Sequence, residues 1–453
     1  MNNSADNKSN GKRILFACVP AEGHFNPLTG LAKHLQCIGY DVRWYAPASY
    51  GKKLQELMIP FYPFDTAMDL SADKMDTAFP GRAKIKSAVG KLNFDLEHFF
   101  IKRGPEYFAD MQQIHKDFAF DLLIADVAFT GTIFVKKLMK IPVIAIGVFP
   151  LIETSKDLAP SGLGMEPANG YLGRMKQLLL RYVVQHILFR KPNKIFHRIM
   201  EEYGIAHNNI FLFDVISKEA NYILQSGTPG FEYNRSDLSK NVRFIGGLLP
   251  YSNDRKSSTW FDERVNKYKR VVLVTQGTVE KDVNKIIVPA LEAFRNTDTL
   301  VICTTGGSQT NTLRTKYSQD NIIIEDFIPF NDVMPYAHAY ITNGGYGGVM
   351  MGIQNKLPLV VAGVHEGKNE ICARIGYFKY GINLKTETPS PVQIKNAVNE
   401  VINNNLYKQN IIRLGDEFDR YQPQELCARY VGALLHPEII TRETANKLAA
   451  VRY

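Results

Sequence analysis

Short apolar runs alternate with longer amphipathic, helix-like stretches along most of this chain. The runs predicted to be strands are residues 13–19, 40–46, 121–126, 142–147, 221–225, 242–246, 270–275, 300–304, 321–325, 339–342 and 359–362. Runs that are apolar throughout are typical of strands covered by helices on both faces of a parallel sheet. The pattern therefore predicts an α/β fold.

The strand-like runs form two series separated by residues 250–269, which are polar, charged and poor in aliphatic side chains. A length of 453 residues also suits two domains of roughly 200 residues each. We therefore predict two doubly wound, Rossmann-like domains facing across a cleft: residues 13–249 and 270–430, with 250–269 as linker. Residues 1–12 are predicted to be a disordered tail. Residues 431–453 are predicted to be a helix packing back on the N-terminal domain.

The composition, 45% hydrophobic and 22% charged, is that of an ordinary globular protein. Five cysteines, at positions 18, 37, 303, 372 and 427, have no metal-ligand spacing and predict reduced thiols in a cytoplasmic protein. No apolar run reaches the roughly 18 residues of a membrane span, and the polar start of the chain does not resemble a signal peptide. We expect a monomer or a weak homodimer.

The net charge of +9 is not concentrated in one uninterrupted basic tract. The densest basic stretch, residues 174–198, places seven Lys and Arg residues among leucines, valines and aromatics. We interpret it as the solvated face of an amphipathic helix, with peripheral contact to an anionic membrane as the alternative. Nucleic-acid binding is not expected, because no helix-turn-helix, RNP or zinc pattern accompanies it.

A glycine-rich turn follows the strand predicted at 339–342 and leads into a helix-like run. Its residues are Asn343, Gly344, Gly345, Gly347 and Gly348. Glycines between a strand and a helix let backbone N–H groups approach a ligand and place the positive helix end beside an anion. The turn predicts a phosphate-bearing ligand. The alternative is a tight βα turn that binds no ligand and has glycines only because its backbone needs φ > 0.

His24 is predicted to lie in the loop, residues 20–27, that follows the first predicted strand, and Asp126 ends the strand predicted at 121–126. Both therefore lie at the carboxyl edge of one sheet, whereas Asp121 lies at the opposite edge. Imidazole titrates near neutral pH and can act as a general base, and a carboxylate can orient it. The alternatives are a histidine that orders a helix N-terminus and an aspartate that caps one. His365, in a polar loop of the second half, is the main competing histidine.

Six motifs in order carry a family resemblance: VPAEGHFNPLTGLAKHL, FDLLIADVAF, VTQGT, DFIPF, TNGGYGG and VHEGKNE. From about residue 13 to about residue 430 the chain resembles the family 1 nucleotide-sugar-dependent glycosyltransferases. It is most similar to bacterial and fungal members with an Asn-Gly-Gly-Tyr-Gly-Gly loop. The resemblance implies the GT-B fold and inverting transfer to small, often hydrophobic acceptors, with His24 as base and Asp126 behind it.

The resemblance also implies a donor site for a UDP-sugar or dTDP-sugar co-substrate. Gly277 and Thr278 would approach a phosphate oxygen, Phe327 would stack on the nucleobase, and Ile328 would offer its backbone to the base edge. Phe327 could instead be a core aromatic beside a proline turn. No metal or other cofactor is expected, because no Asp-x-Asp pair lies in a comparable loop and fixed N–H groups can stabilise the leaving diphosphate.

Three departures from the commoner family pattern bear on the donor. Many relatives have His where this chain has Asn343, and Met351 takes the place of the usual ribose-binding carboxylate. The usual Asp-Gln pair of the sugar-binding loop is Gly367-Lys368 here, preceded by Glu366. Glu366 is predicted to contact sugar hydroxyls. Lys368 is predicted to contact phosphate or an anionic sugar, or to face solvent.

Aromatic and aliphatic residues of the N-terminal half predict a lipophilic acceptor pocket, although each is individually typical of a core. The residues selected are Phe79, Phe94, Phe149 and Met165. Together these features predict an inverting glycosyltransferase. A nucleotide-sugar 2-epimerase of the same fold and a non-catalytic accessory protein with a degenerate donor site are the alternatives.

Overall fold

A computed structural model describes residues 11–70, 75–251, 260–277 and 280–437, which form two parallel α/β domains. The strands are β1 Arg13–Ala17, β2 Asp41–Ala46, β3 Phe61–Pro63, β4 Leu122–Asp126, β5 Val143–Gly147, β6 Tyr222–Ser226, β7 Val242–Gly246, β8 Arg270–Thr275, β9 Thr299–Thr304, β10 Ile322–Glu325, β11 Ala339–Thr342, β12 Leu359–Val361 and β13 Gly381–Asn383. The first seven form one sheet and the last six the other.

Helices cover both sheets. The α-helices are α1 Glu22–Cys37, α2 Gly51–Glu56, α3 Met75–Ala78, α4 Pro80–Ala83, α5 Ala88–Asp95, α6 Arg103–Asp117, α7 Gly131–Phe134, α8 Gly170–Val183, α9 Arg190–Glu202, α10 Val215–Glu219, α11 Ile287–Phe294, α12 Thr310–Lys316, α13 Phe330–Val333, α14 Tyr346–Gln354, α15 Lys368–Tyr377, α16 Pro391–Asn403, α17 Asn405–Phe418 and α18 Pro423–Leu435. Three π-helical turns adjoin them, at Leu96–Ile101, Val135–Met139 and Val184–Leu188.

The strand order locates the edge at which a ligand can bind. It is β3-β2-β1-β4-β5-β6-β7 in the first sheet and β10-β9-β8-β11-β12-β13 in the second, with all neighbours parallel. The order reverses direction between β1 and β4, and again between β8 and β11. Ligands of such sheets bind in the crevice beyond the carboxyl ends of the strands at this reversal.

The predicted α/β class is confirmed, and each of the eleven predicted segments overlaps a strand. Two strands were missed, β3 and β13. Each has only three residues and lies at a sheet edge, so neither forms a continuous apolar run. The strands are apolar throughout because successive side chains point to opposite faces of the sheet and both faces are buried. In β1, Ile14 and Phe16 enter the core on one face, and Leu15 and Ala17 enter the core on the other.

The last described helix belongs to the first sheet. Leu426, Tyr430 and Val431 of α18 are buried in one cluster with Leu28 and Leu31 of α1. The helix that packs back therefore begins at Pro423, inside the range assigned from sequence to the second domain. Residues 438–453, most of the segment where that helix was expected, lie outside the described residues, as do residues 1–10 of the expected tail.

A buried charge network joins the domains. Arg374 of α15 is 1% exposed, and its Nε and Nη2 donate to Glu232 Oε2 at 3.1 and 2.8 Å. Its Nη1 donates to Glu370 Oε2 at 3.1 Å and to the Glu370 carbonyl at 2.9 Å. Burial alone would lower the pKa of the guanidinium, but the adjacent Glu232 and Glu370 raise it above its ordinary value. The Arg374 guanidinium is therefore charged at every physiological pH.

Glu370 extends this network to the loop that follows β5. Its Oε1 accepts from the backbone N–H groups of Gly162 and Gly164, both at 2.8 Å, and Asn369 Nδ2 donates to the Gly162 carbonyl at 2.6 Å. On the other side, Glu232 Oε1 accepts from Leu151 N at 2.9 Å. Two segments of the first domain are thus held by one helix of the second.

Replacing Arg374 by Ala should lower the free energy of unfolding by about 3–5 kcal/mol, because it leaves Glu232 and Glu370 buried without the guanidinium that pairs with both. Urea unfolding followed by circular dichroism measures the change. The matched control is Arg413→Ala at an exposed position of α17, where less than about 0.5 kcal/mol is expected. Equal effects of the two substitutions would contradict the structural role given to Arg374.

Candidate functional site

His24 lies in the first turn of α1, directly after β1, and not in a loop as its sequence context suggested. The helix begins after Ala21, which has extended backbone angles and whose carbonyl accepts from the N–H groups of His24 and Phe25. The side chain therefore projects from a fixed backbone position at the carboxyl edge of the first sheet.

Asp126 holds this histidine. The carboxylate is fully buried at the end of β4; its Oδ1 is 2.7 Å from His24 Nδ1 and accepts from Ala128 N at 2.8 Å. Its Oδ2 accepts from Val19 N at 2.9 Å. The helix that follows begins at Gly131, with Thr130 in the capping position, so Asp126 is not a helix cap. Asp121 lies at the opposite edge, where it binds Arg13 N.

The contact between His24 and Asp126 fixes the state of the imidazole. A carboxylate at Nδ1 assigns the proton of the neutral ring to that nitrogen and leaves the lone pair on Nε2. Nε2 has no partner within the described ranges, and the side chain is 21% exposed. Phe149 approaches the ring edge-on at 5.8 Å. The geometry suits a ring that takes up a proton at Nε2.

The glycine turn faces this edge from the second domain. Gly345 precedes α14, no side chain caps the helix, and α14 contacts α1. The N–H groups of the first turn of a helix have no acceptor inside it. Gly344 has φ +77°, and a Cβ there would lie 2.4 Å from Cys372 Sγ, so packing alone requires this glycine.

The other glycines differ in what surrounds them. A Cβ at Gly348 would lie 3.1 Å from the Tyr340 hydroxyl, and one at Gly345 would lie 3.4 Å from Asn343 Oδ1. A Cβ at Gly347 would meet nothing within 4 Å. Local packing therefore does not explain the absence of a side chain at Gly347, whereas close approach by a ligand would.

The Asn343 side chain shapes the turn. Its Nδ2 donates to the Gln276 carbonyl at 2.5 Å, and its Oδ1 accepts from Gly345 N at 3.2 Å. The amide thus ties the end of β11 to the segment after β8. Gly277, with φ +78°, directly follows Gln276. Thr278 lies outside the described residues.

The Phe327 turn has the exposure expected of a ligand-binding surface. Phe327 is 68% exposed, which rules out the core alternative, while the neighbouring Ile328 side chain is 5% exposed. The backbone N–H and C=O of Ile328 have no partner among the described residues. The buried Ile328 side chain therefore fixes the position of its own backbone N–H and C=O, which lie next to the exposed Phe327 ring.

The predicted sugar-binding residues contact each other. Lys368 Nζ donates to Glu366 Oε2 at 2.7 Å; the Lys368 side chain is 18% exposed and that of Glu366 is 70% exposed. Glu366 has φ +56° and Gly367 has φ +77°, and the turn that they form places Glu366 beside Lys368, the first residue of α15. Met351 packs against the core of the second domain. His365 is 71% exposed.

Only one of the four predicted acceptor residues contacts His24, namely Phe149. Phe79 and Phe94 pack on each other with ring centroids 5.7 Å apart, and both are half-buried. Met165 is half-buried in the loop between β5 and α8. The roles predicted for all these side chains stay predictions.

Sequence reasoning missed two residues that join the site across the domains. Tyr346, between the glycine pairs, donates from its hydroxyl to the Ser226 carbonyl at 2.5 Å, and Gln225 Nε2 lies 3.4 Å from the same hydroxyl. Burial raises the pKa of Tyr346, which stays protonated. Gln225 also donates to the Phe149 carbonyl at 2.8 Å. The sequence indicated only Tyr346, as a bulky residue within a turn that is otherwise rich in glycine.

Residues 108–431 match the sequence model of the family described as UDP-glucoronosyl and UDP-glucosyl transferase. The chain is 31% identical over 409 residues to 4'-demethylrebeccamycin synthase of Lentzea aerocolonigenes, covering 90% of this chain and 96% of that protein. It is 27% identical over 406 residues to UDP-glucosyltransferase A1 of Starmerella bombicola, covering 87% of each. The solved structure of CalG4, the calicheamicin glycosyltransferase, matches with a TM-score of 0.73 and 16% identity, over 95% of this chain and 100% of that one.

These findings confirm the resemblance drawn from the six motifs and the two-domain GT-B fold. The match covers β4–β7 of the first sheet and all of the second sheet, including Asp126 and the glycine turn, whereas β1–β3 and His24 lie outside it. The chain belongs to the UDP-glucoronosyl and UDP-glucosyl transferase family and is a glycosyltransferase.

Proposed function

We propose that this enzyme transfers a sugar, with inversion, from a UDP-sugar or dTDP-sugar to a hydroxyl of a small hydrophobic or aromatic acceptor. The observation that carries the proposal is the 2.7 Å contact of His24 Nδ1 with the buried Asp126 carboxylate. It leaves Nε2 at the edge that faces the glycine turn. The names of relatives and structural neighbours, which include 4'-demethylrebeccamycin synthase and the calicheamicin glycosyltransferase, support a natural-product type of acceptor.

His24 is the proposed general base. Nε2 takes the proton of the acceptor hydroxyl while the oxygen attacks the anomeric carbon, and the bond from that carbon to the diphosphate oxygen breaks. The imidazolium that forms is stabilised by Asp126, whose carboxylate also keeps the ring in the required tautomer. Attack opposite to the leaving group inverts the anomeric carbon.

The second domain is proposed to hold the donor. Phe327 stacks on the uracil or thymine, and the Ile328 backbone pairs with the base edge. The free N–H groups at the start of α14, with the helix dipole, stabilise the charge that develops on the leaving diphosphate. We propose that this makes a metal ion unnecessary. Glu366 and Lys368 adjoin the same turn and would contact the sugar.

The 2-epimerase and accessory-protein alternatives gain no support from the relatives, whose names are those of transferases and a synthase. Incubation with a UDP-sugar and no acceptor tests the first alternative, because only a 2-epimerase forms a new UDP-sugar under these conditions. Calorimetric titration with UDP tests the second, because an accessory protein with a degenerate donor site does not bind UDP.

Replacing His24 by Ala should lower the transfer rate at least about a hundredfold, the lower end for loss of a general base. The affinity for UDP should stay unchanged, because the nucleotide is placed on the other domain. Acceptor-product formation by chromatography and UDP titration by calorimetry measure the two quantities. His365→Ala, at the competing histidine, is the control and should retain its rate. An unchanged rate in the His24 variant would refute the base assignment.

Replacing Phe327 by Ala should raise the Kd for UDP or dTDP roughly five- to 150-fold, the range expected for loss of one base-stacking contact. Calorimetric titration with each nucleotide measures this and shows which base is preferred. Phe261→Ala is a matched control, because Phe261 is also exposed, at 53%, in the second half of the chain. Equal Kd values for both variants would count against a stacking role.

Replacing Gly347 by Ala separates ligand binding from folding. The new methyl group meets open space, so stability should be unchanged or rise by up to about 1 kcal/mol from helix propensity. UDP affinity should fall roughly tenfold or more, since the methyl group displaces a phosphate from nearby N–H groups. A thermal melt and a UDP titration test both parts, and retained affinity would place the diphosphate elsewhere.

A further inference from the structure

The outward face of α8 is apolar. Its large apolar side chains are 49–83% exposed: Tyr171, Leu172, Met175, Leu178, Leu179 and Tyr182. At 3.6 residues per turn, successive residues are rotated by about 100°, which puts these six on one stripe along the helix. Gln177 and Val184, on the opposite side, are buried. A surface helix of a globular protein normally turns its apolar face to the core, whereas α8 turns this apolar stripe to the outside.

Positive charge borders this stripe. Arg174 and Lys176 lie on either side of it by the same rotation, and no Asp or Glu occurs in residues 170–200. Arg190, Lys194 and Arg198 continue the charge along α9. The side chains of all five are exposed and have no hydrogen-bond or ion-pair partner in the ranges that the structure describes. Lys191 is different, because it pairs with Glu97 at 2.8 Å.

An open cleft of about 610 Å³ lies at the far end of this surface. It is lined by Asn93, Ile187, Leu188, Arg190, Lys191, Lys194, Ile195 and Arg198. Asn93 Nδ2 donates to the Leu188 carbonyl at 2.8 Å and so ties α5 to the same surface. The cleft therefore combines cationic side chains with apolar walls, which is the chemistry of a phospholipid headgroup site.

We propose that α8, the turn Val184–Leu188 and α9 dock on an anionic phospholipid surface. The apolar stripe enters the boundary between headgroups and acyl chains, and the cations contact lipid phosphates. The solvated helix face expected from the sequence does not fit, because the exposed face is the apolar one. Within the described ranges, no helix combines the length and apolar composition needed to cross a bilayer, so the mode proposed is peripheral.

Two other occupants fit the surface less well. A second copy of this chain in a two-fold dimer would place the same positive surface against itself, and like charges repel. A small acceptor needs a concave site, whereas the stripe lies on the convex outside of a helix. Anionic lipid alone matches both the apolar stripe and the charge.

Vesicle flotation of the full-length protein tests the proposal, with phosphatidylcholine alone and with equal parts of phosphatidylcholine and phosphatidylglycerol. We expect binding to the anionic vesicles, weak or no binding to the neutral ones, and release as salt is raised. Equal binding to both vesicle types, or no binding to either, would overturn the proposal.

Paired variants separate the two contributions. Arg190→Gln with Lys194→Gln should weaken partition into anionic vesicles roughly thirtyfold, as expected for two cations near the surface. Leu172→Ser with Leu179→Ser should weaken it by about tenfold or more. The controls on the second domain are Lys395→Gln with Arg413→Gln and Val392→Ser with Leu406→Ser, all at exposed positions.

The controls should bind as the unaltered protein does, and thermal melts should show that all four variants are folded. An equal loss in the controls would mean that the binding is not localised on this surface and would overturn the proposal. So would self-association in sedimentation that the leucine pair abolishes, which would make the stripe an interface between copies.

Discussion

A carboxylate buried at the end of a strand must have its oxygens satisfied, and Asp126 meets this requirement through three elements at once. Val19 comes from the segment after β1, Ala128 from the segment after β4, and His24 from the first turn of α1. The point where the strand order of the first sheet reverses is thereby fixed around one carboxyl group. The position and tautomer of His24 follow from that constraint.

The second domain contacts the first through α14, which follows the glycine turn, and through α15, which follows Glu366 and Gly367. Tyr346 opens α14 and reaches the Ser226 carbonyl, while Glu370 and Arg374 of α15 hold the loop after β5 and Glu232. The helices α14 and α15, whose N-terminal turns face the cleft, therefore also make the contacts between the domains. The two halves of the site are positioned by the side chains that join the domains.

Much of this arrangement was predictable from sequence, because apolar runs specify buried strands and chain order specifies which residues follow them. His24, Asp126 and the glycine turn were placed at the correct sheet edge on that basis. Strand order was not available from sequence, and neither were the partners of Arg374, since Glu232 is 142 residues away in the chain. The polarity of α8 was also missed, because its periodic pattern shows two faces but not which one is turned to the protein.

The position of α18 affects how the two domains can move relative to each other and how a chimera of two relatives can be built. The chain passes into the second domain after β7 and returns to the first before Pro423, so two backbone crossings connect the domains. Two crossings restrict relative motion to something closer to a hinge than to a free swivel. They also make the second domain an insertion within the first. A chimera that exchanges the second domain between relatives therefore needs two junctions, with α18 kept beside the α1 that it covers.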